Sequence, residues 1–82
     1  MAYVVYVLYS KKVDKYYVGE TENLTIRLTS HLSGISKYTS IADDWVIVYT
    51  EAYPTRLQSV KREREIKRMK SRKYIESLLK KD

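Results

Sequence analysis

The sequence contains no cysteine, no phenylalanine, a single proline and only two glycines. Without cysteine there is no disulfide, no thiolate zinc site and no thiol nucleophile. No apolar run approaches the ~18 residues of a membrane span, and the amino-terminal residues carry no signal-peptide pattern. A cytoplasmic protein is therefore expected, with the nucleoid within its reach and no membrane among its partners. The Gly-rich phosphate loop and repeated βαβ spacing of nucleotide-binding folds are also missing. With 82 residues, one small domain spanning residues 1–82 is expected.

What the chain has instead is tyrosine and positive charge. Nine tyrosines and one tryptophan make up its aromatics, and the net charge is +6. Residues 1–54 hold five basic and six acidic side chains, residues 55–82 eleven and four. A basic second half on a near-neutral body points to an anionic partner, most often nucleic acid. The plainer reading of such a charge run is a solvated helix face.

The pattern along the chain reads strand, strand, helix, strand, helix, helix. Residues 2–9 are rich in valine and tyrosine and apolar on both faces, as in a central strand. A short polar turn leads to a second strand over residues 15–20, which favours an antiparallel hairpin. Leu24, Leu28 and Leu32 recur every four residues, predicting a helix over 22–32. Thr21 or Asn23 is placed to cap its start, and Gly34 lies past its end. Residues 45–53 read as a third strand, apolar on both faces. Pro54 ends it, Thr55 caps a basic helix, and Ser71 restarts a final one. The fold class is α/β: a three-stranded antiparallel sheet flanked by helices in the order β-β-α-β-α-α.

Several polar residues do not suit a pure core. Arg27 and His31 are four apart on the first helix and so are neighbours bordering its leucine stripe. Either they are structural, or an anion such as phosphate relieves their repulsion. Glu63 lies between Val60 and Ile66 on the face of the basic helix expected to meet the sheet, with Glu65 pointing to water. A carboxylate there needs a partner: a salt bridge to Arg27 or Lys67, or a hard divalent cation. Tyr6 and Tyr17 can share one sheet face with Gly19, whose missing side chain offers room for a substrate atom. For Tyr3, Tyr9, Tyr16, Tyr49, Tyr53 and Tyr74, packing is the expected use.

Five ordered segments resemble the GIY-YIG nuclease domain, and among its members the small single-domain ones. They are "VVY" at residues 4–6, with Val4 where the family has glycine, and "YVG" at 17–19. "NLTIRLTSH", "SKYT" with "WVIVYTEAY", and "KREREIKRMKSRKYIE" follow in order. The resemblance covers essentially the whole chain. It implies metal-dependent hydrolysis of DNA phosphodiesters, of the kind used in DNA repair, with 5′-phosphate and 3′-hydroxyl products. It implies a site of Tyr6, Tyr17, Arg27, His31 and Glu63, with Glu63 holding Mg²⁺ or Mn²⁺. Arg27 would brace the phosphoryl oxygens, Tyr6 or Tyr17 would take a proton from water, and His31 would position water or contact phosphate. Lys61, Arg62, Lys67, Arg68, Lys70, Arg72 and Lys73, with Lys37 of the loop, would track the backbone with little sequence preference. DNA is favoured over RNA on the resemblance, and a protein partner is the expected source of specificity. Two other functions compete. One is a non-catalytic nucleic-acid-binding module, the other an adaptor docking through Tyr49, Tyr53, Leu78 and Leu79.

Overall fold

A computed structural model of the chain describes residues 2–32 and 41–80, and for residues 30–32 the main chain only. Strands β1 (Tyr3–Ser10), β2 (Lys15–Thr21) and β3 (Val46–Tyr53) alternate with helices α1 (Leu24–Leu32), α2 (Arg56–Met69) and α3 (Arg72–Leu79). The sheet is antiparallel with order β2-β1-β3. β1 is thus the central strand, and Val5, Tyr6, Val7 and Leu8 are all buried.

Because successive side chains of a strand point to opposite faces, β1 splits the interior in two. Val5 and Val7 pack with Val18 of β2, Ile66 of α2 and Leu78 of α3. Tyr6 and Leu8 pack on the other face with Ala42 and Trp45, walled by Tyr17, Leu24 and Leu28. So α1 covers one face, and α2 with α3 covers the opposite one.

The helix starts follow local capping chemistry. The Asn23 Oδ1 accepts the Ile26 N–H at 3.1 Å, and the Thr21 hydroxyl accepts the Asn23 N–H at 3.1 Å, so both candidate residues share the α1 cap. Thr55 accepts the Gln58 N–H at 3.3 Å, and Ser71 accepts the Tyr74 N–H at 3.1 Å.

β3 departs from expectation. It is not apolar on both faces: Val46 is 53% exposed, and burial alternates along the strand. The register shifts between Val7 and Leu8, which pair with Tyr49 and Ile47. The unpaired Val48 is the extra residue of a bulge, which lets Ile47 serve one core and Tyr49 the other. In α2 the inward stripe is narrower than the three-residue row suggested. Ser59 and Ile66 are buried, while Leu57 and Met69 are 80% and 50% exposed, because a row of that spacing drifts around the helix.

Between β3 and α2, Glu51 gathers the hydroxyls of Tyr49 and Tyr53 and both sides of the Arg62 guanidinium, Nε at 2.9 Å and Nη2 at 3.2 Å. Arg62 also donates to Glu65 and to the Tyr74 hydroxyl. These bonds hold the Arg62 charge inside the protein. They remove Arg62 from the expected nucleic-acid surface, and they commit Tyr49 and Tyr53, two of the adaptor's docking residues, to an internal network.

Candidate active site

β1 and β2 set the site's floor. Their register pairs Tyr6 with Gly19 and Leu8 with Tyr17, so Tyr6 and Tyr17 lie on the α1 face as neighbours, ring centroids 6.4 Å apart. A Cβ added to Gly19 would stand 2.4 Å from the Tyr6 hydroxyl and 2.5 Å from its Cζ. The room that glycine leaves is therefore filled by the end of the Tyr6 ring. This corrects the expectation that Gly19 clears space for a substrate atom: the cross-strand partner had claimed that space.

α1 delivers Arg27 to the same place. Its Nε donates to the Tyr6 hydroxyl at 3.4 Å, and the Tyr17 hydroxyl acts on the same guanidinium. These acceptors hold the guanidinium above its ordinary, already strongly basic range. His31 follows four residues later in α1, but its side chain and the whole of Lys37 lie outside the described residues.

Glu63 and Lys67 belong to α2, on the far side of the sheet from α1. β2 is an edge strand, and the Lys67 side chain reaches past it to a tyrosine of the α1 face. The Lys67 Nζ lies 5.8 Å from the Tyr17 ring centre and donates to Glu63 Oε2 at 3.0 Å. Glu63 is 19% exposed, Glu65 49%, the asymmetry read from the helix. The Tyr6 hydroxyl experiences the charges of both Arg27 and Glu63. Tyr6, Tyr17 and Arg27 thus meet on the α1 face, whereas Glu63 stands on α2 across the sheet and is linked to them through Lys67 over the Tyr17 ring, which corrects the expectation of one pocket on a single side of the β layer. The salt-bridge partner of Glu63 is Lys67; the i, i+4 spacing was its sequence signal.

Burial pushes the Tyr6 phenol up to about 12, with Tyr17 and Glu63 adding to the rise; the bond and charge of Arg27 oppose it. The folded protein therefore keeps a proton that an unfolded chain releases near pH ~10. The resulting stabilisation is complete below that pH and is lost as pH rises through about 12. A displacement of this size corresponds to about 2–3 kcal/mol. Alkaline titration of tyrosinate absorbance should show a late step that Tyr6→Phe removes, against a background that includes Tyr49, also pushed up to about 12 by burial and Glu51. A wild-type titration unchanged by Tyr6→Phe above pH ~10 would contradict the burial argument.

Of the expected nucleic-acid contacts, Lys61, Lys67, Arg68, Lys70 and Lys73 are exposed. Arg72 is partly committed, to Asp14 at 2.6 Å and Glu76 at 3.3 Å. Among the described residues no group of three or more acidic or histidine side chains gathers, and no helix is long and apolar enough to cross a membrane.

The fold has recognisable relatives among known proteins. The family model of the GIY-YIG catalytic domain matches residues 2–75. Among solved structures, the chain is similar to the solution NMR structure of the UPF0213 protein BH0048 from Bacillus halodurans. That likeness has 32% identity and a TM-score of 0.61, and covers 96% of this chain and 83% of the other. No curated protein matches the chain. With the family's domain spanning nearly its whole length and a solved relative 32% identical over 96% of it, the chain belongs to the GIY-YIG family, a family of nuclease type.

Proposed function

We propose that the protein is a divalent-metal-dependent endonuclease hydrolysing DNA phosphodiester bonds to 5′-phosphate and 3′-hydroxyl ends, with little sequence preference. The observation that supports this most is the Arg27 guanidinium bonded to the Tyr6 hydroxyl beside Tyr17, with the negative charge of Glu63 acting on the same phenol. A core side chain has no need of both charges at one phenol.

The residues fit a single hard cation. Glu63 Oε2 accepts from Lys67, and no bond engages Oε1 among the described residues. One carboxylate suits an ion that keeps most of its water, as Mg²⁺ or Mn²⁺ does. Held by Glu63, such an ion supplies Lewis-acid neutralisation of phosphoryl charge.

The chain's own groups divide the remaining work. Arg27 has five N–H donors and offers those not bonded to the tyrosines to the phosphoryl oxygens, where negative charge grows in the transition state. Tyr6 accepts from Arg27 and keeps its proton at neutral pH, so it serves as a hydrogen-bond donor to substrate and not as a base. Tyr17, half-buried and with Lys67 over its ring, is the phenol assigned to the attacking water, passing its own proton to solvent as it takes the one from water. The water oxygen bonds to phosphorus, the P–O3′ bond breaks, and the 3′ oxygen leaves to be protonated by solvent. To His31 we assign the contact with water or phosphate, on its helical spacing from Arg27. Lys61, Lys67, Arg68, Lys70 and Lys73 supply sequence-independent attraction to the backbone, and a protein partner supplies specificity.

The Glu63–Lys67 pair favours a second reading, a non-catalytic nucleic-acid-binding module, because it gives the carboxylate a structural use. Supercoiled plasmid incubated with Mn²⁺ separates the two. Slow nicking that stops with EDTA and returns with excess Mn²⁺ is expected. Salt-sensitive DNA binding without nicking, or nicking indifferent to EDTA, would overturn the nuclease reading.

A further inference from the structure

Tyr17 and Lys67 border the candidate site and also open onto a groove of about 570 Å³ between β2 and the corner where α2 gives way to α3. Tyr16, Ile66 and Ile75 line its interior, and Lys15, Lys67 and Lys70 bring positive charge to it. At one end Asp14 and Arg72 bind each other at 2.6 Å, so that pair adds no net charge. Lys67 is paired with Glu63, whereas Lys15 and Lys70 carry no ion pair among the described residues.

Lys70 stands in an unusual backbone conformation. As the C-cap of α2 it has φ 47° and ψ 36°, the left-handed region. Glycine is the usual residue there, because a side chain in that region crowds the following carbonyl oxygen. A lysine at such a position brings to the groove an ammonium with no ion pair among the described residues, at the expense of the fold, the kind of local strain that gathers at functional sites.

We propose that this groove binds an unstacked nucleotide of a single DNA strand, next to the scissile phosphate. The assignment rests on the nuclease reading of the adjoining site. The base lies against Ile75 and the edge of Tyr16, whose ring carries the Arg72 guanidinium 5.2 Å from its centre and packs on Tyr9, and Lys15 and Lys70 hold flanking phosphates. A duplex keeps its bases stacked inside, so only a single strand can offer a base face to an apolar groove of this size. Basic tracks combined with aromatic surfaces are the general solution for single strands. The excess of lysine selects a polyanion over a neutral peptide. Preferred substrates are then those with unpaired nucleotides beside the cut, such as flaps, gaps and frayed ends.

The test is fluorescence anisotropy of a labelled oligothymidylate and of a length-matched duplex, in EDTA so that no cleavage intervenes. The single strand is expected to bind at least about tenfold more tightly. The double variant Lys15→Ala/Lys70→Gly should lower the slope of log K against log salt by about 1.4, since each single-strand phosphate contact contributes about 0.7. Lys80→Ala, a charge loss outside the groove, should leave binding unchanged. Lys70→Gly relieves the left-handed strain, so an unchanged or higher Tm shows that lost affinity is not lost folding. Equal affinity for duplex and strand, a wild-type slope in the double variant, or equal competition by an acidic peptide would overturn the proposal. Failure of plasmid nicking leaves this binding result standing, whereas nicking without single-strand preference rejects the groove and keeps the nuclease.

Discussion

Arg27→Ala is expected to lower metal-dependent plasmid nicking by roughly 10²–10³-fold, the usual effect of removing one preorganised donor from developing transition-state charge. Folding should change little, because Arg27 is only half-buried and its recorded interactions run to the hydroxyls of two tyrosines. Arg27→Lys should recover only a small part of the loss. An ammonium is a compact point charge and lacks the planar fork that can hold a tyrosine and a phosphate together. Single-turnover cleavage with saturating protein separates this from weaker binding. The deficit should persist at saturation, because the charge that Arg27 meets appears only on the way to the transition state. A variant that cleaves at the wild-type rate once saturated would show that Arg27 merely attracts DNA.

Gly19→Ala is expected to damage both the fold and the site. The new methyl would meet the Tyr6 hydroxyl at 2.4 Å, closer than real contacts allow, and Tyr6 is 1% exposed with no open space to enter. The backbone of Gly19 is not in the left-handed region, so the need for glycine here is one of space and not of torsion. Overpacking of this kind costs about 1–3 kcal/mol, a fall in Tm of about 5–15 °C for a domain of this size. Nicking should fall as it does in Arg27→Ala, since the ring can yield only by leaving its guanidinium partner. The double variant Gly19→Ala/Tyr6→Leu tests the cause. Leucine ends short of the crowded atoms, so thermal stability should be better than the sum of the two single losses, with activity still absent. Strictly additive losses would mean that Gly19 is needed for some other reason.

How much of this was legible beforehand can be followed residue by residue. Thr55 and Ser71 were readable as caps because a cap bond closes within three residues and needs nothing from the rest of the chain. β1 was readable as central because both its faces are apolar. The asymmetry of Glu63 and Glu65 followed from helical period alone. Val48 was not legible as a bulge, since the irregularity lies in the pairing with β1 and leaves no mark in composition. Arg62 was misread for a related reason. Within a run of basic residues nothing distinguishes the one that meets Glu51 from those that meet water; that choice depends on which helix face lies over β3.

The amino-acid sequence by itself determined the order and type of the elements, their caps, the central place of β1 and the set of polar residues unsuited to a core. Each of these depends on neighbours within one or two turns or on the alternation of a single strand. Only the tertiary structure decided that α1 and α2 lie on opposite faces of the sheet, that Lys67 of α2 nevertheless reaches the Tyr17 ring past β2, and that the ring of Tyr6 fills the space over Gly19. The reason is physical: local hydrogen bonding and periodicity act over a few residues, whereas layer order and edge geometry are set by how the whole chain buries its apolar surface at once.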